Sequence, residues 1–369
     1  MKKIVFVINA VSNQRCIKRV NEFVERGYNV VAYGFSRKIE MHNEINAPLE
    51  IIGEYSNSQS YPKRMKSLWK GVKQVITRHK DEDAVYYLFG LDIAMVFNAM
   101  CRKRFIYEES DLAHTYIGNS MIRCALEIID KAIIKRSLLT VFTSEGFIKY
   151  HFGCTIDKCK NKNYVLIPNR LSLDVKNCKM VQGAPTHIEN LRIGFVGVGR
   201  FKSVKHFAQV ILERFPNIEM HFFGNIAEKF QSDFYELKRF DKCFFHGAFA
   251  TPRDLPEIYS SIDVVLSTYD IEFENVRYAE PNKIYEAIYF ETPIIVSKST
   301  FLSDKVNRLG IGYSVDPLND DSIVEFINSL TAEDLQNKKD RLSSIDKNYA
   351  LNINDSFFAL LEQSLKYSR

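Results

Sequence analysis

The chain lacks any run of about 18 apolar residues, so no segment of it is suited to cross the hydrocarbon core of a bilayer as a helix. It has one tryptophan and seven scattered cysteines (Cys16, Cys101, Cys124, Cys154, Cys159, Cys178 and Cys243). That odd number, with no C-x-x-C pair and no His/Cys cluster at zinc spacing, speaks against a disulfide framework or a zinc finger and for a reducing cytoplasm. The opening "MKKIVFVINAV" has a basic tip but only a five-residue apolar run before Asn9, which is too short for a signal core and suits a buried strand. Repeats at a period of roughly 20–50 residues and low-complexity tracts are also missing, which excludes solenoids. With 46% hydrophobic and 26% charged residues the composition is that of a folded globular protein.

At 369 residues the chain is long enough for two cores. Its net charge of +5 is unevenly spread: residues 1–170 hold 27 Lys/Arg against 17 Asp/Glu, and the remainder 23 against 28. The first half should therefore favour an anionic surface or substrate.

Short β-branched or aromatic runs at 2–9, 28–35, 83–90, 104–110 and 138–144 alternate with segments of helical period. A second alternation begins at "LRIGFVGVG" (191–199) and continues through 218–225, 243–249, 263–269, 292–298 and 310–316. Such βα alternation predicts parallel sheets buried on both faces, here two doubly wound Rossmann-like α/β domains in tandem. The expected boundaries are 1–170 and 191–349, with a linker at 171–190. A C-terminal helix at 350–369, with Asp355 near its cap, should pack back on the first domain.

Ligands of open α/β sheets collect beyond the carboxyl ends of the strands. In "GFVGVGRFKSVKHF" (194–207) a strand ends in Gly197 and Gly199, followed by Arg200 and, five residues on, Lys205. Small residues, a helix N-terminus and two cations suit a diphosphate. The dinucleotide fingerprint fails, because Lys202 stands at its third glycine and Gly224-Asn225 where a ribose-binding acid belongs. The stretch "AEPNKIYEAIYFETPIIVS" (279–297) places a Pro281-Asn282 turn before a helix with Glu286 in its early turns. A carboxylate there can accept from two vicinal ribose hydroxyls.

With "GRFKSVK", "HGAFATPRDLPEIYSSIDVVLSTYD" and "EPNKIYEAIYFETPIIVS" in this order, the chain resembles the donor domain of retaining glycosyltransferases of family 4. It resembles bacterial capsule and surface-polysaccharide enzymes of that family. The resemblance implies a GT-B fold, two Rossmann-like domains facing across a cleft, and a UDP- or GDP-sugar donor. It gives Arg200 and Lys205 to the donor diphosphate and Glu286 to the ribose, with Gly199, Asn225, Pro281, Asn282 and Lys283 around them. In the family a second Glu stands eight residues before Glu286; Tyr278 occupies that place here, and Glu280 is the substitute for the sugar contact. Ser110 replaces a customary His before Asp111-Leu112, which makes His114 the catalytic candidate on the acceptor side, with Asn13, Arg15 and Asp111 as acceptor-side groups. The implied chemistry is transfer on one face of the sugar, without a metal or a permanently bound cofactor. The lone D-x-D string at 81–83 precedes a strand and so lies away from the carboxyl ends.

The acceptor is expected to be a glycan or lipid-linked saccharide. The segment 61–80 alternates an apolar stripe (Met65, Leu68, Trp69, Val72, Val75, Ile76) with lysines and arginines, which fits a packed helix with a basic face or a helix on anionic lipid. Peripheral contact with the inner membrane face would join the cytoplasmic location; nucleic acid is not expected. A sugar-nucleotide 2-epimerase of the same architecture and a catalytically silent sugar-nucleotide-binding protein are the alternative readings.

Overall fold

The computed structural model describes residues 2–37, 44–54, 60–154, 163–181, 183 and 185–367. Two compact units emerge, the first formed by Met1–Ile167 with Asn354–Arg369 and the second by Pro168–Ile353.

Unit 1 is built on seven strands: β1 (Lys3–Ile8), β2 (Asn29–Ser36), β3 (Leu49–Glu54), β4 (Ala84–Phe89), β5 (Phe105–Glu109), β6 (Leu139–Phe142) and β7 (Tyr164–Leu166). They pair in the order β3-β2-β1-β4-β5-β6-β7, and every pairing is parallel. All six residues of β4, Ala-Val-Tyr-Tyr-Leu-Phe, are buried, because helices cover both faces of a parallel sheet and no side chain can point to water. Between β1 and β2, the helix Gln14–Glu25 starts where Asn13 accepts the Arg15 amide and ends before Gly27, whose φ of +77° a side chain would strain.

The helix Asp355–Tyr367 belongs to unit 1, where Phe357, Phe358 and Leu361 join the core around Phe23. Each such side chain contributes roughly 1.5–3 kcal/mol by leaving water. Beneath it lies a buried Arg19–Glu108 ion pair at 3.1 Å, with the Tyr87 hydroxyl also donating to Glu108.

Unit 2 holds β8 (Arg192–Val196), β9 (Glu219–Phe223), β10 (Cys243–Gly247), β11 (Val264–Ser267), β12 (Ile294–Ser297) and β13 (Gly312–Val315), all parallel in the order β10-β9-β8-β11-β12-β13. Chain order reverses between β1 and β4 in unit 1 and between β8 and β11 in unit 2, the places where doubly wound sheets open a crevice.

Several expectations need correction. The sequence expectation lacks the strands β3 and β7; they are the two edges of the sheet, where burial, and hence the apolar signal, is weak. The supposed linker 171–190 is part of unit 2, with Leu171 and Val175 in its core and Leu171 bridged to Leu351. On the helix Tyr61–Arg78, Leu68, Val72 and Val75 are buried as expected, but Trp69 is 47% exposed. Cys16, Cys101, Cys124, Cys178 and Cys243 are free. Among the described residues, no helix is long and apolar enough to cross a membrane.

Candidate functional site

At the reversal point of unit 2, β8 runs into a turn made by Gly197, Val198, Gly199 and Arg200. Gly197 has φ +144° and its amide donates to the Phe223 carbonyl at 2.8 Å. Gly224, at the end of β9, has φ +115°, and a Cβ there would stand 2.1 Å from the Gly197 carbonyl oxygen. These two glycines let the exits of neighbouring strands touch backbone to backbone. The Gly199 amide then donates to the Asn225 carbonyl at 3.0 Å, while the Asn225 side chain is exposed.

The helix Lys202–Arg214 follows, and its first turn is already occupied. Asp270, 6% exposed, accepts the Lys202 amide at 3.2 Å and the Ser203 amide at 2.9 Å. A carboxylate on these amides satisfies two orphan donors and meets the positive end of the helix dipole. The helix N-terminus is thus capped from within, a correction to the expectation that its amides face a phosphate. An acid three residues beyond β11, the strand adjacent to β8, is the sequence sign of such a cap.

Arg200 is exposed, with its Cζ 5.1 Å from the Phe201 ring, which packs edge-on against Tyr269 at 4.9 Å. Lys205 points elsewhere: its Nζ donates to Gln209 at 2.7 Å and lies 3.6 Å from Glu236. In these side-chain positions the two cations do not form a clamp.

The stretch around Glu286 reaches the same turn from the other side. Pro281 is half-buried and Asn282 exposed ahead of the helix Lys283–Tyr289. Glu286 is 1% exposed; its Oε1 accepts from Asn282 at 2.8 Å, and its Oε2 accepts from the Tyr259 hydroxyl at 2.7 Å and from Lys283 Nζ at 2.6 Å. Three of about four acceptor positions on the carboxylate are filled, which leaves one for an outside hydroxyl, and accepting two requires displacing a partner. The Lys283 side chain passes Gly197, its Cε 3.9 Å from where a Cβ on that residue would stand. The buried Lys283–Glu286 pair therefore joins the 279–297 stretch to the Gly197 turn.

Burial, and then the Glu286 charge, hold the Tyr259 hydroxyl well above its ordinary range. The Tyr269 hydroxyl is likewise raised by burial; a hydrogen bond with Ser267 works against that, Glu286 reinforces it, and Arg200 opposes it. Arg200 and Glu286 thus act on one side chain. Glu280 is held apart: it is buried and takes hydrogen bonds from Lys305 and Tyr285, while its Oε2 has no partner.

The unit 1 candidates occupy different surroundings. Asn13 is spent as the cap of the helix Gln14–Glu25; Arg15 is half-buried and Asp111 exposed. His114, the expected catalytic candidate on the acceptor side, is fully buried, its Nε2 3.2 Å from the Tyr150 hydroxyl and its Nδ1 3.4 Å from Asp130. Nearby, burial holds the Glu109 carboxyl well above the usual carboxylate range, reinforced by Asp130, and pushes His151 down to about 4.

With this geometry in place, known proteins supply a comparison. Residues 190–349 match the family model for glycosyl transferases group 1. The matched segment lies wholly within unit 2 and contains the Gly197 turn, Asp270 and the Lys283–Glu286 pair. No curated protein matches the chain in sequence. Among solved structures, sucrose-phosphate synthase from Thermosynechococcus elongatus aligns with a TM-score of 0.70 at 14% identity, covering 99% of this chain and 98% of that one. Anabaena HepE, solved in complex with UDP and glucose, aligns at 0.69 and 13% identity over 100% of both chains. A UDP-N-acetylglucosamine 2-epimerase of Listeria monocytogenes aligns at 0.60 and 11%, covering 98% and 95%. At such identities the likeness establishes the fold, the two Rossmann-like α/β units of the GT-B architecture.

Proposed function

We propose that the chain is a retaining glycosyltransferase that moves a sugar from a UDP- or GDP-sugar to a glycan or lipid-linked saccharide during surface-polysaccharide synthesis. The observation that carries this reading is the buried Lys283–Glu286 pair beside the Gly197 turn, inside the segment that matches a glycosyltransferase family. Lys283 brings a cation to a glycine turn open to backbone approach, and Glu286 keeps an acceptor position for a ribose hydroxyl. Arg200, exposed and unencumbered by an ion pair in its own turn, supplies charge to a leaving diphosphate. Lys205 joins it by releasing Gln209, a rotation of one exposed-edge side chain. Glu280 is the candidate for the donor sugar; buried on Lys305 and Tyr285, it takes that role only once the stretch ahead of the helix Lys283–Tyr289 opens.

In this mechanism the protein acts chiefly by orientation and by meeting negative charge as it develops on the diphosphate. The acceptor belongs to unit 1, where Arg15 and Asp111 are the accessible candidates among those expected. The exposed Trp69 with Lys66, Lys70 and Lys73 on the helix Tyr61–Arg78 supports peripheral attachment to anionic lipid on the cytoplasmic face.

Thermal-shift screening against nucleoside diphosphates identifies the base, since a ligand at a hundredfold excess over Kd adds about 2.7 kcal/mol. Release of nucleoside diphosphate from a sugar donor, with anomeric configuration followed by NMR, then tests transfer and its retention. A donor that returns as its 2-epimer, with no transfer to acceptor, would replace this reading with that of a sugar-nucleotide 2-epimerase.

A further inference from the structure

Unit 1 contains a buried cluster that the proposed transfer does not use. Glu109 ends β5, Asp130 lies on the helix Ser120–Arg136, His151 on the helix Glu145–Phe152, and His114 on the short turn Ala113–Tyr116. The side chains of all four are fully buried. One donor atom from each of Glu109, Asp130 and His151 lies within 4.8 Å of the others. His151 Nε2 is 3.0 Å from both Glu109 oxygens, and His114 Nδ1 is 3.4 Å from Asp130 Oδ2.

The cluster is not satisfied by its own hydrogen bonds. Asp130 Oδ2, His114 Nδ1 and His151 Nδ1 are buried without hydrogen-bond partners. Two carboxylates packed together away from water cannot both stay ionised unless a proton or a cation sits among them. Hydrogen bonds from outside the set already orient it: the Tyr107 hydroxyl donates to Asp130 Oδ1 at 3.0 Å, and Tyr150 engages His114 Nε2, which turns Nδ1 inward. Such outer partners typically fix the ligands of a metal. The 3.0 Å between His151 Nε2 and Glu109 is close to the ~3.4 Å edge of a tetrahedron with bonds of about 2.0–2.1 Å.

We propose that Glu109, Asp130 and His151 form a buried site for one divalent transition-metal ion of the zinc class, with His114 beside Asp130, a structural site that ties β5 to the helices Ser120–Arg136 and Glu145–Phe152. Imidazole with carboxylate donors suits zinc over magnesium or calcium, which prefer all-oxygen shells. With all three donor side chains fully buried, the ion is held away from solvent and from the donor diphosphate, so its role is structural.

The test uses the full chain, stripped with chelator, dialysed and offered zinc. The surface holds a competing feature, His221 and His246 at 3.1 Å with Glu219 beside them, and the design separates the two. One tightly held zinc per chain after gel filtration is expected, retained in the His221→Ala/His246→Ala double variant and lost in Glu109→Gln. At a hundredfold excess over Kd the zinc should raise Tm by roughly 5–10 °C. Should Glu109→Gln fail to fold, hydrogen exchange on the native chain decides, because zinc must protect amides between 105 and 152. Zinc binding that disappears with the His221/His246 pair, protection confined to 219–247, or no retained zinc at all would each overturn the proposal and leave a proton shared between Glu109 and Asp130.

Discussion

Replacing Glu286 by Gln keeps the shape of the side chain and removes its charge. The Lys283 ammonium, in a side chain only 10% exposed, then loses its counter-charge at 2.6 Å. Breaking a buried ion pair from one side costs about 3–5 kcal/mol, chiefly because the remaining charge is left without compensation. For a unit of this size each kcal/mol moves Tm by about 2–4 °C, so the unit 2 transition should fall by roughly 6–20 °C. The double variant Lys283→Met/Glu286→Gln removes both charges and should recover much of that loss, a non-additivity that only a direct pair produces.

Urea unfolding followed by intrinsic fluorescence and circular dichroism, with the two units resolved as separate transitions, gives both numbers. The double variant also separates stability from function, since it should fold yet gain little stability from nucleoside diphosphate. A Glu286→Gln loss below about 1 kcal/mol would refute the reasoning, because it would mean the Lys283 charge reaches water. A double variant that still responds fully to nucleotide would remove the pair from the binding site.

Arg200→Ala should lower turnover about a hundred- to thousand-fold with Tm unchanged, because the side chain is exposed and serves only the developing charge; unaltered turnover would exclude it from the mechanism. Asp270→Ala should cost about 0.5–2 kcal/mol by uncapping the helix Lys202–Arg214, as measured in urea, and should not weaken diphosphate binding, since it frees two amides and removes a negative charge. Asp263 is held below its ordinary 3.8: burial alone would raise it, but hydrogen bonds from the Arg192 side chain, Thr186 and the Arg192 amide prevail. Its contribution is therefore present above pH 3.8 and lost as pH falls through the lowered value, so Asp263→Asn should flatten the acid limb of the stability profile. In salt titrations of liposome binding, Lys66→Glu/Lys70→Glu should abolish any attachment through the helix Tyr61–Arg78, and binding that persists would show that this face is only solvated.

The strands most visible in the sequence were those buried on both faces. β4 and β8 read as continuous apolar runs because their environment permits nothing else, and the glycines at 197 and 199 stood out because they follow such a run. β3 and β7 are hard to read for the opposite reason: with one buried residue each, their composition is barely distinguishable from a loop. Leu171 and Val175 were mistaken for linker because proline, asparagine and glycine around them concealed two core positions.

The site was legible as a set of residue types and less so as a set of contacts. Glycine, arginine and glutamate at the ends of strands announce a polar ligand, but the same sequence does not say which oxygen is already taken. Asp270 closing a helix end and Tyr259 on the Glu286 carboxylate are partners 27 to 68 residues away, brought near by the parallel topology, while Lys283 on Glu286 and Gln209 on Lys205 are neighbours along one helix. A ligand that binds here has to exchange some of these internal partners for its own groups. Its affinity therefore depends on the difference between two well-satisfied arrangements, so variants that loosen the internal one, Asp270→Ala first among them, should bind a diphosphate at least as well as the native chain while folding less stably.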